Sequence, residues 1–233
     1  MTADWRPQDP ERIRNWFDRI ASRYDFLNSW LSFGLDDDWR RRSCEWVWEK
    51  NQKTILDLGT GTGKWIRCFL GKGRWDLAVG LDFSEAMLRH AHENQKGQVN
   101  WLSADFHQMP FSPGTFDVVI SAFTLRSVSD LRCFFSGVYA VLRKDGKAAF
   151  LCLTRPRPFL GKIFYYLYVR FYLTLMGTLI SGRGEAYRFL SDSVLGFQEP
   201  DQTAELMRSC GFDQVTMKRF HHGIATLIVG RKP

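Results

Sequence analysis

The sequence predicts an α/β fold, a mostly parallel sheet of seven strands with helices on both faces, and three observations point to it. From Thr54 onward short apolar runs alternate with segments of helical periodicity, the pattern of right-handed crossovers between parallel strands. The first of these runs ends in a turn with glycine at alternate positions, where a backbone must approach a ligand closely at the mouth of a sheet. The last two runs stand too close together for a crossover, so they form a hairpin with one strand antiparallel to the rest.

The elements follow in order. Ile13, Trp16, Phe17, Ile20, Tyr24 and Leu27 recur at helical spacing, as do Trp39, Trp46 and Val47 after a break at Ser32-Phe33-Gly34. Residues 1–50 are therefore expected to form two or three helices ahead of a sheet-bearing body, 51–233. TILDLGT, LAVGLD, VNWLSAD, FDVVISAF and KAAFLCLT are the first five strands, rich in β-branched and aromatic residues. KWIRCFLGK, EAMLRHAHEN and LRCFFSGVYAVLR are helices between them. A helical insertion over 156–198 precedes a helix near Asp201 to Cys210, and DQVTMK and GIATLIVG close the sheet. The insertion holds the most apolar stretch of the chain, FLGKIFYYLYVRFYLTLMGTLISG (159–182), which Lys162 and Arg170 break into pieces too short to span a bilayer.

Composition narrows the classes. A chain of 233 residues with 45% hydrophobic and 24% charged content fits one globular domain with appendages. Cys44, Cys68, Cys133, Cys152 and Cys210 are scattered and never in a C-x-x-C pair, which argues against a disulfide framework and against a zinc site. MTADWRPQDPERIRNW lacks the charged-then-apolar pattern of a secretory signal, so a cytoplasmic protein is expected. A net charge of +7 favours an anionic partner, either nucleic acid or the face of an anionic membrane, and charge alone does not choose.

The glycine loop ILDLGTGTG (55–63) selects among nucleotide sites. A P-loop needs G-x-x-x-x-G-K-[ST], but position 58 is Leu and Trp65 follows Lys64. A dinucleotide fingerprint needs its third glycine one residue later. The remaining option is the G-x-G-x-G loop of S-adenosylmethionine (SAM) enzymes. Asp82, at the end of the second strand, can accept both ribose hydroxyl protons. Asp105, at the end of the third, can accept the adenine amino proton while Phe106 covers the ring. Asp57, beside the turn, can favour the cationic amino end of the ligand.

This constellation resembles the class I (Rossmann-like) SAM-dependent methyltransferases. RYDFLNSWLSFGLDDDWR (23–40), FTLRSVSD (123–130) and ISGRGEAYRFLSDSVLGFQEPDQTAELMRSCGF (180–212) are similar to the ubiquinone/menaquinone biosynthesis C-methyltransferases, which methylate a ring carbon of a prenylated quinol, over nearly the whole chain. The chain departs from that pattern at Asp36-Asp37, where a His-Arg type pair is usual, at Asp105 for Asn, and at Ala122 for Ser. The resemblance implies cofactor contacts at Asp57, Gly59, Thr60, Gly61, Thr62, Gly63, Asp82, Phe83, Asp105, Phe106, Ser121 and Ala122. It implies catalytic or substrate-side roles for Tyr24, Asp25, Asn28, Arg126 and Tyr187, with residues 1–50 as a cap over the substrate site. It also makes the insertion a lid, with Phe171 and Leu175 on an apolar face against a polyprenyl tail or the membrane surface; an ordinary core-facing helix gives the same periodicity.

Arg126 has two readings, a cation stabilising a developing phenolate oxygen and a structural arginine paired with Asp130 or a backbone carbonyl. Nucleic-acid methylation is disfavoured, because ISAFTLRS stands where an [NDS]-P-P-[YF] base clamp would be and no Pro-Cys nucleophile is present. A SAM- or lipid-binding scaffold of a quinone-biosynthesis assembly is the non-enzymatic alternative. The ring, naphthoquinol or benzoquinol, is left open, as is the oligomeric state.

Overall fold

The computed structural model describes residues 18, 21, 24–26, 28–30, 32–95, 97–106, 108–156, 196 and 199–233. Tyr187, Phe171, Leu175, His107 and almost all of the insertion 156–198 lie outside the described residues.

The described residues between 18 and 30 are helical, and a turn at Ser32–Gly34 leads into α1 (Leu35–Val47). That break falls where the sequence places it, with Phe33 and Gly34 both at positive φ. The body runs β1 (Thr54–Leu58), α2 (Lys64–Leu70), β2 (Leu77–Asp82), α3 (Glu85–Asn94), β3 (Asn100–Ser103), β4 (Phe116–Ala122), a 3₁₀ turn at Leu125–Ser127, α4 (Leu131–Val141) and β5 (Leu142–Leu153). After the insertion come α5 (Pro200–Ser209), β6 (Asp213–Phe220) and β7 (Ala225–Arg231).

The seven strands lie in the order β3-β2-β1-β4-β5-β7-β6, and β7 alone runs antiparallel to its neighbours β5 and β6. The expected sheet is thus the observed one. Strand β5 begins earlier than KAAFLCLT, because Leu142 already pairs with Phe116 before the Asp145-Gly146 turn shifts the register to Val118 against Lys147. Asp117 pins the central seam: it accepts the backbone N–H of Lys53 and Thr54 at 2.7 and 2.9 Å, setting β4 against β1.

Strand alternation divides the core into two layers. Leu56, Leu58, Val79 and Val119 face α4 and α5 through Phe134, Phe135, Val138, Ala204 and Met207. Ile55, Val118, Ile120 and Leu151 face α1 and α2 through Trp39, Val47, Trp65, Ile66 and Phe69. With both faces covered, the accessible end is the edge where the parallel strands finish, and the order reverses between β1 and β4. Ligands of open α/β sheets bind in such a crevice.

Candidate functional site

The turn after β1 holds Gly59, Gly61 and Gly63 at φ of 65°, 56° and 76°, a region that favours glycine. Their surroundings differ. A Cβ at Gly59 would lie 2.6 Å from the Thr124 side chain, and one at Gly63 would lie 2.6 Å from the Trp101 ring. A Cβ at Gly61 would meet nothing within 4 Å, so the middle of the loop borders open space.

Two buried carboxylates stand behind this loop. Asp57 accepts the Thr60 hydroxyl at 2.8 Å. Burial pushes its carboxyl up to about 7, against the lowering pull of that hydrogen bond and of Arg40, with Asp82 adding repulsion. Asp82 accepts the Gly61 N–H at 2.8 Å with one oxygen and the Ser84 N–H at 2.9 Å with the other. Burial raises it to about 6, opposed by those backbone hydrogen bonds. The Phe83 N–H acts on the same carboxylate, so only part of its acceptor capacity is left for a ligand hydroxyl.

The leading segment meets the same loop. Asp25 accepts the Thr62 hydroxyl, Ser29 accepts from Lys64, and Asp18 accepts the Ser84 hydroxyl. Spacings of seven and four put Asp18, Asp25 and Ser29 on one helical face. Lys64 also meets Asp37 at 3.1 Å and Asp36 at 3.5 Å, and Asp36 holds Arg40 at 2.7 Å. Desolvation opposes ionisation of Asp36, but Arg40, Lys64 and Ser32 outweigh it and hold the carboxyl below its usual range. The Asp-Asp pair that departs from the family pattern is therefore occupied in fastening α1 to the glycine-loop helix.

The remaining expected residues divide by depth. Asp105 is exposed after β3, where the Ala104 N–H donates to the Asp82 carbonyl and ties the two strand ends together. Phe106 is turned inward, its ring edge-on to Phe134 at 5.6 Å, and Phe83 packs against the same cluster. Ser121 lies under the loop, its hydroxyl donating to the Leu58 carbonyl at 2.6 Å, while Ala122 is half-buried at the strand end. Tyr24 and Asn28 are half-buried on the leading segment.

Arg126 is buried in the 3₁₀ turn after β4. It lies close enough to Cys152 that its charge opposes the burial which pushes that thiol up to about 12. Asp130, its candidate partner in the sequence, caps α4 by accepting the Cys133 N–H at 2.9 Å.

Sequence reasoning did not single out Asp18, Ser84, Thr124 or Arg40. Ser84 carried a signal, since a serine directly before EAMLRH is an N-cap, and its hydroxyl does accept the Met87 N–H. Arg40 carried a weak one, the i,i+4 spacing to Asp36, but the contacts of Arg40 with Phe123 and of Thr124 with Gly59 join residues far apart in sequence and left none.

Comparison with known proteins gives a consistent picture. The profile of the ubiE/COQ5 methyltransferase family matches residues 6–232. A demethylmenaquinone methyltransferase of Thermotoga maritima is 39% identical over 216 residues, covering 92% of this chain and 93% of that protein. A ubiquinone/menaquinone biosynthesis C-methyltransferase UbiE of Geobacter sulfurreducens is 37% identical over 228 residues, covering 95% and 89%. Among solved structures, a Thermotoga maritima SAM-dependent methyltransferase, described as a possible histamine N-methyltransferase, superposes with a TM-score of 0.69 at 17% identity, covering 95% of this chain and all of that one. A Haemonchus contortus phosphoethanolamine N-methyltransferase 2 in complex with SAM gives 0.68 at 16% identity, covering 95% of this chain and 60% of that one.

Proposed function

Because this chain belongs to the ubiE/COQ5 methyltransferase family, and so is a SAM-dependent methyltransferase, we propose that it methylates the ring carbon of demethylmenaquinol to give menaquinol in respiratory quinone biosynthesis. The observation that carries the proposal is the crevice between β1 and β4, where the left-handed glycine loop borders open space at Gly61 with the buried Asp82 carboxylate bonded behind it, and Arg126 follows on the other side. The benzoquinol step of ubiquinone biosynthesis is the second reading, favoured by the relatives that carry both pathways in their name.

The residues present fit SAM. The gap at Gly61 leaves room for the backbone to meet the ligand, Asp82 has acceptor capacity for the ribose hydroxyls, and exposed Asp105 has it for the adenine amino group. Asp57, whose negative charge Arg40 supports, favours the ammonium end. Bound there, SAM supplies an electrophilic methyl group.

The chain's own task is to make the ring carbon electron-rich and to hold it in line. A phenolic hydroxyl titrates near ~10, so a fixed cation close to it favours the phenolate at neutral pH. Arg126 is that cation, and its burial strengthens the interaction by excluding water. Tyr24 and Asn28 approach the ring from the leading segment, with residues 1–50 as the cap. The same reading assigns Tyr187 to the substrate and Phe171 and Leu175 to its prenyl tail, three residues that lie outside the described ones. The basic chain sits on the cytoplasmic face of an anionic membrane; among the described residues no helix is long and apolar enough to cross one.

Mass spectrometry of quinones from cells with and without the protein tests the reading. A quinone lighter by one methyl should accumulate without it, and its ring identifies the substrate. Unchanged quinones would overturn the proposal.

A further inference from the structure

The side chain that joins most parts of this crevice is Arg40. It projects from α1, is 7% exposed, and donates to the Asp36 carboxylate at 2.7 Å and to the Asp36 carbonyl at 3.2 Å. Its guanidinium carbon lies 4.9 Å from the centre of the Phe123 ring, and its own carbonyl accepts the Trp65 indole N–H from α2. Its charge also acts on Asp57 at the end of β1.

Phe123 is no ordinary neighbour. It follows β4 directly and holds φ at 61°, a conformation that a bulky aromatic residue adopts only when its surroundings impose it. Three contacts do so: its N–H donates to the Leu151 carbonyl at 2.7 Å, Trp39 packs edge-on at 6.4 Å, and Arg40 covers the ring. The next residue, Thr124, fills the space beside Gly59, and Arg126 stands two positions further on.

We propose that Arg40 is a positioning residue of the methyl-transfer site, holding α1 and α2 against the Phe123 corner at the end of β4 so that the Arg126 turn keeps its place beside the glycine loop. It acts in two ways that can be separated. Its charge keeps a cation opposite Asp57, which serves the cofactor, and its planar face stabilises the Phe123 corner, which serves Arg126. Lysine would retain the first function and lose much of the second, since an ammonium lacks the flat, weakly hydrated surface that stacks on an aromatic ring.

The inference rests on the crevice being the methyl-transfer site, and the wild-type protein tests that separately through SAM binding and turnover. Arg40→Lys is compared with the double variant Asp36→Asn/Arg40→Gln, in which a neutral hydrogen-bonding pair replaces the buried ion pair so that neither member is left charged without the other. SAM affinity by calorimetry, kcat and quinol KM are measured below each variant's melting temperature. For Arg40→Lys, SAM affinity should stay within about threefold of wild type while kcat falls about tenfold, with quinol KM held. For the double variant both SAM affinity and kcat should fall about tenfold or more. If both variants, once folded, match the wild type in SAM affinity and kcat, Arg40 is a structural residue only and the proposal fails. A lysine variant with wild-type kcat overturns the role of the planar face.

Discussion

The Asp25 carboxylate accepts the hydroxyl proton of Thr62, with both carboxylate oxygens 2.8 Å from Oγ1. A residue whose family resemblance suggests a role on the substrate thus has its side chain on the cofactor loop, and it joins the leading segment to the turn between Gly61 and Gly63. Asparagine can accept the same hydrogen bond and alanine cannot. Asp25→Asn should keep SAM affinity within about threefold, whereas Asp25→Ala should weaken it roughly tenfold, the scale of a hydrogen bond to a charged group. If Asp25 were instead the catalytic base, the asparagine variant would lose kcat about a hundredfold with SAM binding intact.

Asp82 holds the loop through the Gly61 N–H, and the proposed function makes it the ribose acceptor as well. Asp82→Ala removes two backbone acceptor interactions and the ribose acceptor but little core volume. SAM binding should fall below detection by calorimetry while circular dichroism shows a folded chain. Unchanged affinity would remove Asp82 from the cofactor site.

The buried carboxyls should make stability and SAM affinity respond to pH in opposite directions. Asp57 and Asp82 titrate near 7 and 6 in the folded protein against an ordinary value of 3.8. The folded state therefore holds more protons than the unfolded state between those values, and stability falls as pH rises. Their contribution is fully present below 3.8 and is lost as pH passes through about 6 to 7. The ligand-free protein should accordingly melt several degrees lower at pH ~8 than at pH ~5, at roughly 2–4 °C per kcal/mol for a chain of this size. Affinity for the cationic SAM should rise over the same interval as the carboxylates ionise. Asp57→Asn should flatten both trends, which differential scanning calorimetry and titration calorimetry would report.

Arg126 is separable from cofactor binding. If it stabilises the phenolate, Arg126→Ala should lower kcat by about a hundredfold or more with SAM affinity unchanged, as loss of an oxyanion donor does. Equal losses in kcat and SAM affinity would identify a structural arginine.

The segment at 159–182 is tested through the substrate tail. Each buried methylene contributes about 0.8 kcal/mol, so even one isoprenoid unit in an apolar channel adds a few kcal/mol to binding. Phe171→Ser with Leu175→Ser should raise KM for a prenylated quinol far more than for a tail-less analogue, and should weaken salt-sensitive sedimentation with anionic vesicles. A variant that melts early yet treats both substrates alike would make this segment part of the core.

The sheet was legible in the sequence because its signals are local. EAMLRHAHEN reads as the helix that forms, Glu85–Asn94, and LAVGLD as the strand, Leu77–Asp82. The glycine loop was legible because only glycine tolerates three left-handed positions within five residues. The start of β5 was not, since Lys-Asp-Gly reads as a turn and the pairing of Leu142 with Phe116 spans 26 residues. Side-chain direction was also hidden. Ser121 and Phe106 sit at the expected strand ends, but the pleat and the core turn one toward Leu58 and the other toward Phe134. The contact of Arg40 with Phe123 joins residues 83 positions apart and leaves no trace in periodicity.

Trp101 occupies, from β3, the space that a methyl group at Gly63 or Gly80 would need. Under sequence drift these sites constrain one another: a side chain at Gly80 requires the indole to give way, one at Gly63 meets the indole and a left-handed backbone as well, and a smaller residue at 101 alone leaves a void beside the glycine loop. The geometry of the glycine loop is thereby anchored by an indole two strands away.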